Sequence, residues 1–482
     1  MPPIIFHLDM NSYFASVEQQ DNQQYRGRPL GVCEHLGGII IAASIEAKRW
    51  GIKTGTPVWE ARKLFPKIIL TKTHPDRYRL YIKRVIKVVS DYTGLVEQAS
   101  IDEVFLDMTK ACNIRGLSAG KLLGLRDPFE EAVNIAREIK RRMKVEVGDY
   151  LTCSIGIGEN KLLAKIGSDM QKPDGIIVIR DKLIVPIPTL GSGLQPPTGR
   201  SLGDDKLSGV LLLTKNELYQ RLKLTDIPGI GRRQEKNLNK LGIKTLLNLK
   251  NYPLSRLVAR FGINGYHLHQ MGQLKGSWKP DVERDEIIKS IGHMYTLPKE
   301  YREPKFFAPV LYKLCEMVAT RLRKQGLMGN VIHFYIHPVT NFNGKVGLKS
   351  STEELSQDYL HSHTGKISNG ASDKNYEGFG QSLKLGFYVY DGREIFLQCM
   401  KIFESFRAPP PAFKLIGVTV AGLRPYVHQL SLFGHEARLR GLVGALDKIN
   451  AKYGDFTLCR VPILAAKNVF QDSVGFGRIK EK

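Results

Sequence analysis

Two adjacent carboxylates inside an apolar run constrain this chain more than any other feature. Ser100-Ile101-Asp102-Glu103 is followed by Val104-Phe105-Leu106-Asp107-Met108. Neighbours on a regular strand point to opposite faces, so Asp102 and Glu103 converge on one site only where the chain bends. Leu95 to Ala99 and Val104 to Met108 read as the strands of a hairpin with the acids at its tip. Paired buried carboxylates are unfavourable unless positive charge lies between them, and a divalent metal supplies it. Taken alone, the two acids would also suit an ordinary surface turn.

A third carboxylate adds weight to the metal. Ile4 to Leu8 is a short apolar strand with Asp9 at its C-terminal end. Asn11 and Ser12 follow as helix N-cap candidates, and Tyr13 to Glu18 reads as helical. An acid ending one core strand, set against a hairpin with two more, is a layout for two-metal phosphoryl transfer. Hard oxygen donors, with no His or Cys at metal-ligand spacing, point to Mg²⁺ rather than Zn²⁺.

Asp9-Met10-Asn11-Ser12-Tyr13-Phe14-Ala15-Ser16-Val17-Glu18, Ser100-Ile101-Asp102-Glu103, and Cys153-Ser154-Ile155-Gly156-Ile157-Gly158 with Asn160-Lys161-Leu162-Leu163-Ala164-Lys165 follow one another in the chain. In residues and in order they resemble the Y-family translesion DNA polymerases, nearest the bacterial DNA polymerase IV (DinB-like) branch, over most of the length. The resemblance implies a right-hand polymerase of α+β multidomain class. Its parts are a palm (residues 1–11 and 76–180), fingers (12–75), a thumb (210–280), a little finger (290–425) and a tail (426–482). A linker or insertion at 181–209, rich in Pro, Gly and Ser, and a linker at 281–289 separate them. Helices on one face of an antiparallel sheet make the palm ferredoxin-like, and alternating strands and helices make the little finger an α/β sandwich.

The same resemblance assigns roles. Asp9, Asp102 and Glu103 would hold two Mg²⁺, with Met10 lending a backbone carbonyl. Phe14 aligns with the steric gate that excludes a ribose 2′-OH, although helix core packing also explains a Phe there. Backbone N–H groups near Tyr13 and Phe14 can bind an anion, and Lys172 matches a lysine that contacts the triphosphate, although an exposed turn lysine fits too. The family usually grips the triphosphate with a Tyr and an Arg three residues apart. Here Ile45 and Lys48 stand at those positions. Lys48 supplies charge without the bidentate fork of Arg and Ile45 supplies no donor, so weaker nucleotide binding is expected.

The bulk properties agree with a DNA substrate. Lys and Arg number 71 against 47 Asp and Glu, a net charge of +24 with pI near 9.6. Such a balance favours a polyanion, nucleic acid before acidic membrane. No apolar run reaches the roughly 18 residues a membrane span needs, and no signal peptide opens the chain, so a cytoplasmic protein is expected, and a monomer is expected as well. The six Cys are scattered and read as reduced thiols. Ile227-Pro228-Gly229-Ile230-Gly231, followed by Arg232 and Arg233, reads as a helix-hairpin-helix whose backbone N–H groups and arginines meet a DNA phosphate without reading sequence. Arg115 to Asp127 is Gly- and Leu-rich and reads as a loop.

Gln429-Leu430-Ser431-Leu432-Phe433 resembles the peptide by which bacterial polymerases dock on the sliding clamp, and an amphipathic strand end accounts for it as well. Primer–template DNA, dNTPs and the clamp are therefore the expected partners, and no exonuclease-like acidic cluster points to proofreading. A UmuC-like polymerase needing a partner is a nearby alternative, which Glu46-Ala47-Lys48 also fits. A non-catalytic clamp-bound scaffold is another, and the intact Asp9, Asp102 and Glu103 argue against it. A DNA-binding repair module without synthesis would explain the charge but not three converging acids.

Overall fold

In a computed structural model of the chain, the residues described are 2–34, 38–120, 128–181, 210–277, 280–281, 288–298, 301–338, 379–406, 412–426, 435–466 and 469, with backbone alone at 115–120, 304 and 435–440. Two compact units result, a first over residues 1–284 and a second over residues 285–472.

The first unit is built on the strand Ile5–Met10, which is buried along its whole length. It lies inside a six-stranded sheet ordered Val96–Gln98, Glu103–Asp107, Ile5–Met10, Cys153–Gly158, Ile176–Arg180, Val210–Thr214. The first four strands pair antiparallel and the last two join in parallel. One face, carrying Phe6, Leu8 and Met10, lies under the helices Pro75–Ser90 and Pro128–Arg142. The first of these buries Tyr78, Tyr81, Ile82, Val85, Val88 and Val89, the stripe that helical spacing predicts.

The opposite face carries Ile5, His7 and Asp9. It is covered by the helix Lys161–Met170, whose Ala164 packs with Ile5 and Phe105. Glycine makes this approach possible. A Cβ at Gly156 would stand 1.8 Å from the Ala164 carbonyl oxygen, and one at Gly158 would stand 2.7 Å from Leu163 Cβ. The helix therefore rests directly on the Cys153–Gly158 strand.

The fingers stretch forms a three-stranded sheet, ordered Ile40–Ala43, Leu30–Cys33, Ile69–Thr71, with a small core of its own around Cys33, Ile40, Ala47, Ile52 and Val58. The thumb stretch opens with Val210–Thr214, which adds the sixth strand to the palm sheet. Short helices from Lys215–Arg221 to Ile263–Gly272 follow, and their core is continuous with Leu163, Ile166, Ile177 and Ile179. Lys215 Nζ lies 2.9 Å from Glu159 and 2.8 Å from Asp181, so the end of one parallel strand is tied to the start of the chain after its neighbour.

The second unit packs the helices Pro304–Lys324 and Gly392–Glu404 on one face of a four-stranded antiparallel sheet, ordered Ser290–Thr296, Phe413–Pro425, Leu327–Pro338, Phe379–Val389. Residues of the tail dock here. Arg323 forks onto Asp447 at 2.7 and 2.8 Å, Arg460 onto Asp391 at 2.8 and 3.3 Å, and Ala466 joins the core.

Two local expectations are corrected. Residues 115–120 are not a loop but the end of a helix, Thr109–Gly120. Asp107 accepts from the Thr109 N–H to start it, and the buried Cys112 secures it against the core, so tertiary anchoring outweighs glycine's poor propensity. Ser12 does not cap the following helix, Tyr13–Asp21, with its side chain. It adopts a left-handed backbone, φ 50°, and its hydroxyl makes no capping hydrogen bond. The 182–209 insertion, most of the 281–289 linker and the peptide Gln429–Phe433 lie outside the described residues. No described helix is long and apolar enough to cross a membrane.

Candidate active site

The carboxylates come from two adjacent strands and the bend before one of them. Asp9 faces Glu103 in register across the antiparallel pair, and Met10 N–H donates to the Asp102 carbonyl at 2.9 Å. Asp102 stands in the turn that precedes the Glu103–Asp107 strand, so the predicted hairpin bend does bring both acids beside Asp9. Ser100 Oγ donates to Asp102 Oδ1 at 2.5 Å.

Lysines occupy this acidic face. Lys172 Nζ lies 2.8 Å from Asp9 Oδ2 and 2.8 Å from Asp169 Oδ1. Lys165 Nζ lies 2.7 Å from Glu103 Oε1. Burial pushes the Asp9 carboxyl up, and Lys172 opposes it only in part. Burial also raises Asp102, with the Ser100 hydroxyl pulling back. Glu103 goes the other way. Burial disfavours its charge, but His7 at 3.6 Å and the Lys165 ammonium outweigh that and hold it below the usual carboxylate range.

The Lys172 turn is rigidly seated. Ser154 Oγ donates to the Gln171 carbonyl at 3.3 Å, and Lys140 pairs with Asp174 Oδ1 at 3.0 Å. A Cβ at Gly175 would stand 2.3 Å from the Gln171 carbonyl oxygen, so the turn closes only on glycine. Lys48, from the fingers, is within electrostatic range. Partial desolvation and then Lys172 lower its pKa, and Asp9 raises it.

Phe14 is 4% exposed and stacks on Tyr78, with ring centroids 4.3 Å apart and planes 17° apart. Tyr78 is itself fixed by donating to Glu18 at 2.7 Å, and Tyr13 Oη donates to the Tyr78 carbonyl at 2.6 Å. The Phe14 ring is therefore packed as a wall against Tyr78. No side chain caps the first turn of the Tyr13–Asp21 helix, which leaves its N–H groups available to an anion.

Four contributors escaped the sequence reading: His7, Lys165, Ser168 and Asp169. His7 Nδ1 shares a 2.7 Å hydrogen bond with Ser168 Oγ, and the ring packs on Phe105 at 4.4 Å. The signal was present as spacing. His7 lies two residues before Asp9 on one strand face, and Lys161, Lys165 and Asp169 recur every four residues on one helix face. Lys161 adds a 2.6 Å contact to the buried Glu97. Glu18, Asp107 and Glu159 lie outside this carboxylate set and have structural partners of their own.

The donor set suits a hard divalent cation: three carboxylates and nearby backbone carbonyls, with no sulfur. Among the described residues, however, no group of three such side chains stands gathered in ligand geometry. Asp9 and Glu103 are instead turned to their lysines.

In the thumb stretch, Gly229 has φ 96°, which favours glycine. Gly231 then precedes the helix Arg232–Asn239, with Arg232 and Arg233 exposed at its start.

Known proteins resemble this chain throughout. Residues 8–169 match the impB/mucB/samB family, residues 288–432 its C-terminal domain, and residues 225–273 the DNA polymerase-iota thumb domain. The DNA polymerase IV of Moorella thermoacetica is 33% identical over 470 residues, covering 96% of this chain and 97% of that protein. The chain belongs to the DNA polymerase IV group of the Y-family DNA polymerases. The DNA polymerase IV of Pelotomaculum thermopropionicum is 29% identical over 98% of each chain. A Y-family DNA polymerase chimera of solved structure shares the fold, with a TM-score of 0.60 at 22% identity, over 87% of this chain and 98% of its own. Y-family polymerases work with divalent metal ions, to which oxygen donors of this type are suited.

Proposed function

We propose that the chain is a template-directed DNA polymerase of the error-prone translesion type, acting as a cytoplasmic monomer without proofreading. The observation that carries this is the register pair Asp9–Glu103 with Asp102 in the adjoining bend, within a chain of Y-family membership. Asp9, Asp102, Glu103 and the Met10 carbonyl would hold two Mg²⁺, which would supply activation of the primer 3′-OH and neutralisation of the triphosphate.

The chain's own residues do the rest. Lys172 and Lys48 bring positive charge to the triphosphate side, and the uncapped helix start at Tyr13 and Phe14 offers N–H donors. The fixed Phe14 ring bars a 2′-OH. Gly229, Gly231, Arg232 and Arg233 hold the duplex by its phosphates, independently of sequence. Gln429, Leu430, Ser431, Leu432 and Phe433 bind the sliding clamp.

Primer extension tests the reading. Asp102→Ala and Glu103→Ala are expected to bind primer–template DNA as the wild type does and to lose extension by about a thousandfold or more. Normal extension by either variant would overturn the site. No extension by the wild type, even with clamp added, would move the weight to a partner-dependent polymerase, with Ile45 and Lys48 the first suspects.

A further inference from the structure

Lys172 sits on the oxygen that a metal needs. Its ammonium is shared equally between Asp9 Oδ2 and Asp169 Oδ1, each at 2.8 Å. The backbone beneath it is fixed by Ser154, Lys140 and Gly175. The Lys172 side chain itself is 38% exposed. Asp169 stands in the helix that rests on Gly156, three residues before Lys172. The Asp9 and Asp169 carboxylates are thus two acceptors with different fates. One is a metal ligand and the other is not.

We infer that Lys172 is a displaceable stand-in for the metal on Asp9, and that Asp169 is the positioning residue that keeps the lysine in place when the metal takes Asp9. The inference rests on the reading of Asp9, Asp102 and Glu103 as metal ligands. A lysine ammonium has three donors. Held by Asp169 alone, it has two of them free for the oxygens of an incoming triphosphate. Cation loading and phosphate grip are then linked through one side chain, and by reciprocity each favours the other. With Ile45 in place of a donor in the fingers, this linkage carries more of the triphosphate's hold than a Tyr and Arg pair would leave to it.

The linkage makes predictions of opposite sign for one substitution. Mn²⁺ alone is the probe, titrated into the full chain without nucleotide or DNA and followed by the electron paramagnetic resonance of the free ion. Lys172→Met is expected to bind Mn²⁺ about fivefold more tightly, the competing partly exposed ion pair being gone. The same variant is expected to show a several-fold weaker apparent affinity for dNTP. Asp169→Asn, which leaves Lys172 committed to Asp9, is expected to weaken Mn²⁺ binding about threefold. In the Lys172→Met background, Asp169→Asn is expected to do nothing, since the residue acts only through the lysine.

Equal weakening by Asp169→Asn in both backgrounds would reveal a general field effect and overturn the inference. So would unchanged or looser Mn²⁺ binding in Lys172→Met. Absence of Mn²⁺ binding in a correctly folded wild type is a different failure. It would remove the ligand assignment itself, and the inference with it.

Discussion

Asp9 and Glu103 stand directly opposite each other on antiparallel strands, yet each is ion-paired to a different lysine. Like charges at facing positions are destabilising. Lys165 and Lys172 offset that repulsion from opposite ends, while burial raises Asp9 and His7 together with Lys165 lowers Glu103, so the two carboxylates differ in acidity.

Removing Lys165 should therefore expose the repulsion. Lys165→Met is expected to lower the stability of the first unit by about 1.5 kcal/mol, the scale of a hydrogen bond to a charged group. Added Mg²⁺ is expected to restore the melting temperature more in this variant than in the wild type, because a ligand that binds only the native state stabilises it by mass action. An Mg²⁺ response equal in both proteins would show that Lys165 does not share the acidic face with the metal.

Phe14→Ala should have two separable effects. Loss of a stacked buried ring is expected to cost about 3 kcal/mol of stability, read by denaturant unfolding. In primer extension below the new melting temperature, the variant is expected to incorporate rNTPs that the wild type rejects. A destabilised variant that still rejects rNTPs would leave Phe14 as a packing residue alone.

Gly156→Val should not yield the native first unit. The added side chain would begin inside the Ala164 carbonyl oxygen, and backbone on both sides leaves no inexpensive relaxation. Soluble expression and circular dichroism check it. A well-folded Gly156→Val protein would mean that the helix Lys161–Met170 can lift from the sheet.

Lys313 gives a pH signature to the second unit. The residue is 2% exposed, and Nζ donates to the Ala466 carbonyl at 3.3 Å beneath the Phe456 ring. Burial lowers its pKa to about 8, from 10.5 for a free lysine. The folded state thus releases this proton before the unfolded state does. Between pH 8 and 10.5 the unfolded chain holds more protons, so stability rises with pH across that window and the contribution is lost as pH falls through 8. Compared with Lys313→Met, the wild type is expected to gain stability from pH 7 to pH 10, measured by urea unfolding of each. A difference between the two proteins that stays flat with pH would contradict the burial of a titrating ammonium.

The primary carboxylates were legible because their signals are local. A strand ending in Asp9 and a bend at Asp102 can each be read within ten residues. The layer around them was not, because His7, Lys165 and Asp169 matter only once it is known that one helix lies on one strand. Gly156 and Gly158 carried that information, but a glycine in sequence does not say which partner needs the space. Ser12 misled for a related reason. Its side chain is a good capping group, and the left-handed backbone that defeats it is set by the tertiary turn. The docking of the tail rests on Arg323–Asp447 and Arg460–Asp391, pairs separated by more chain than any local pattern spans.

The parallel pairing of Ile176–Arg180 with Val210–Thr214 closes over the whole 181–209 connection, and Lys215 clasps Asp181 where that connection leaves. Both ends are thereby held at the sheet. The entropy of closing such a loop grows only with the logarithm of its length, about 0.6 kcal/mol per doubling. The chain therefore leaves and re-enters the first unit side by side, whatever the length of sequence between those two points.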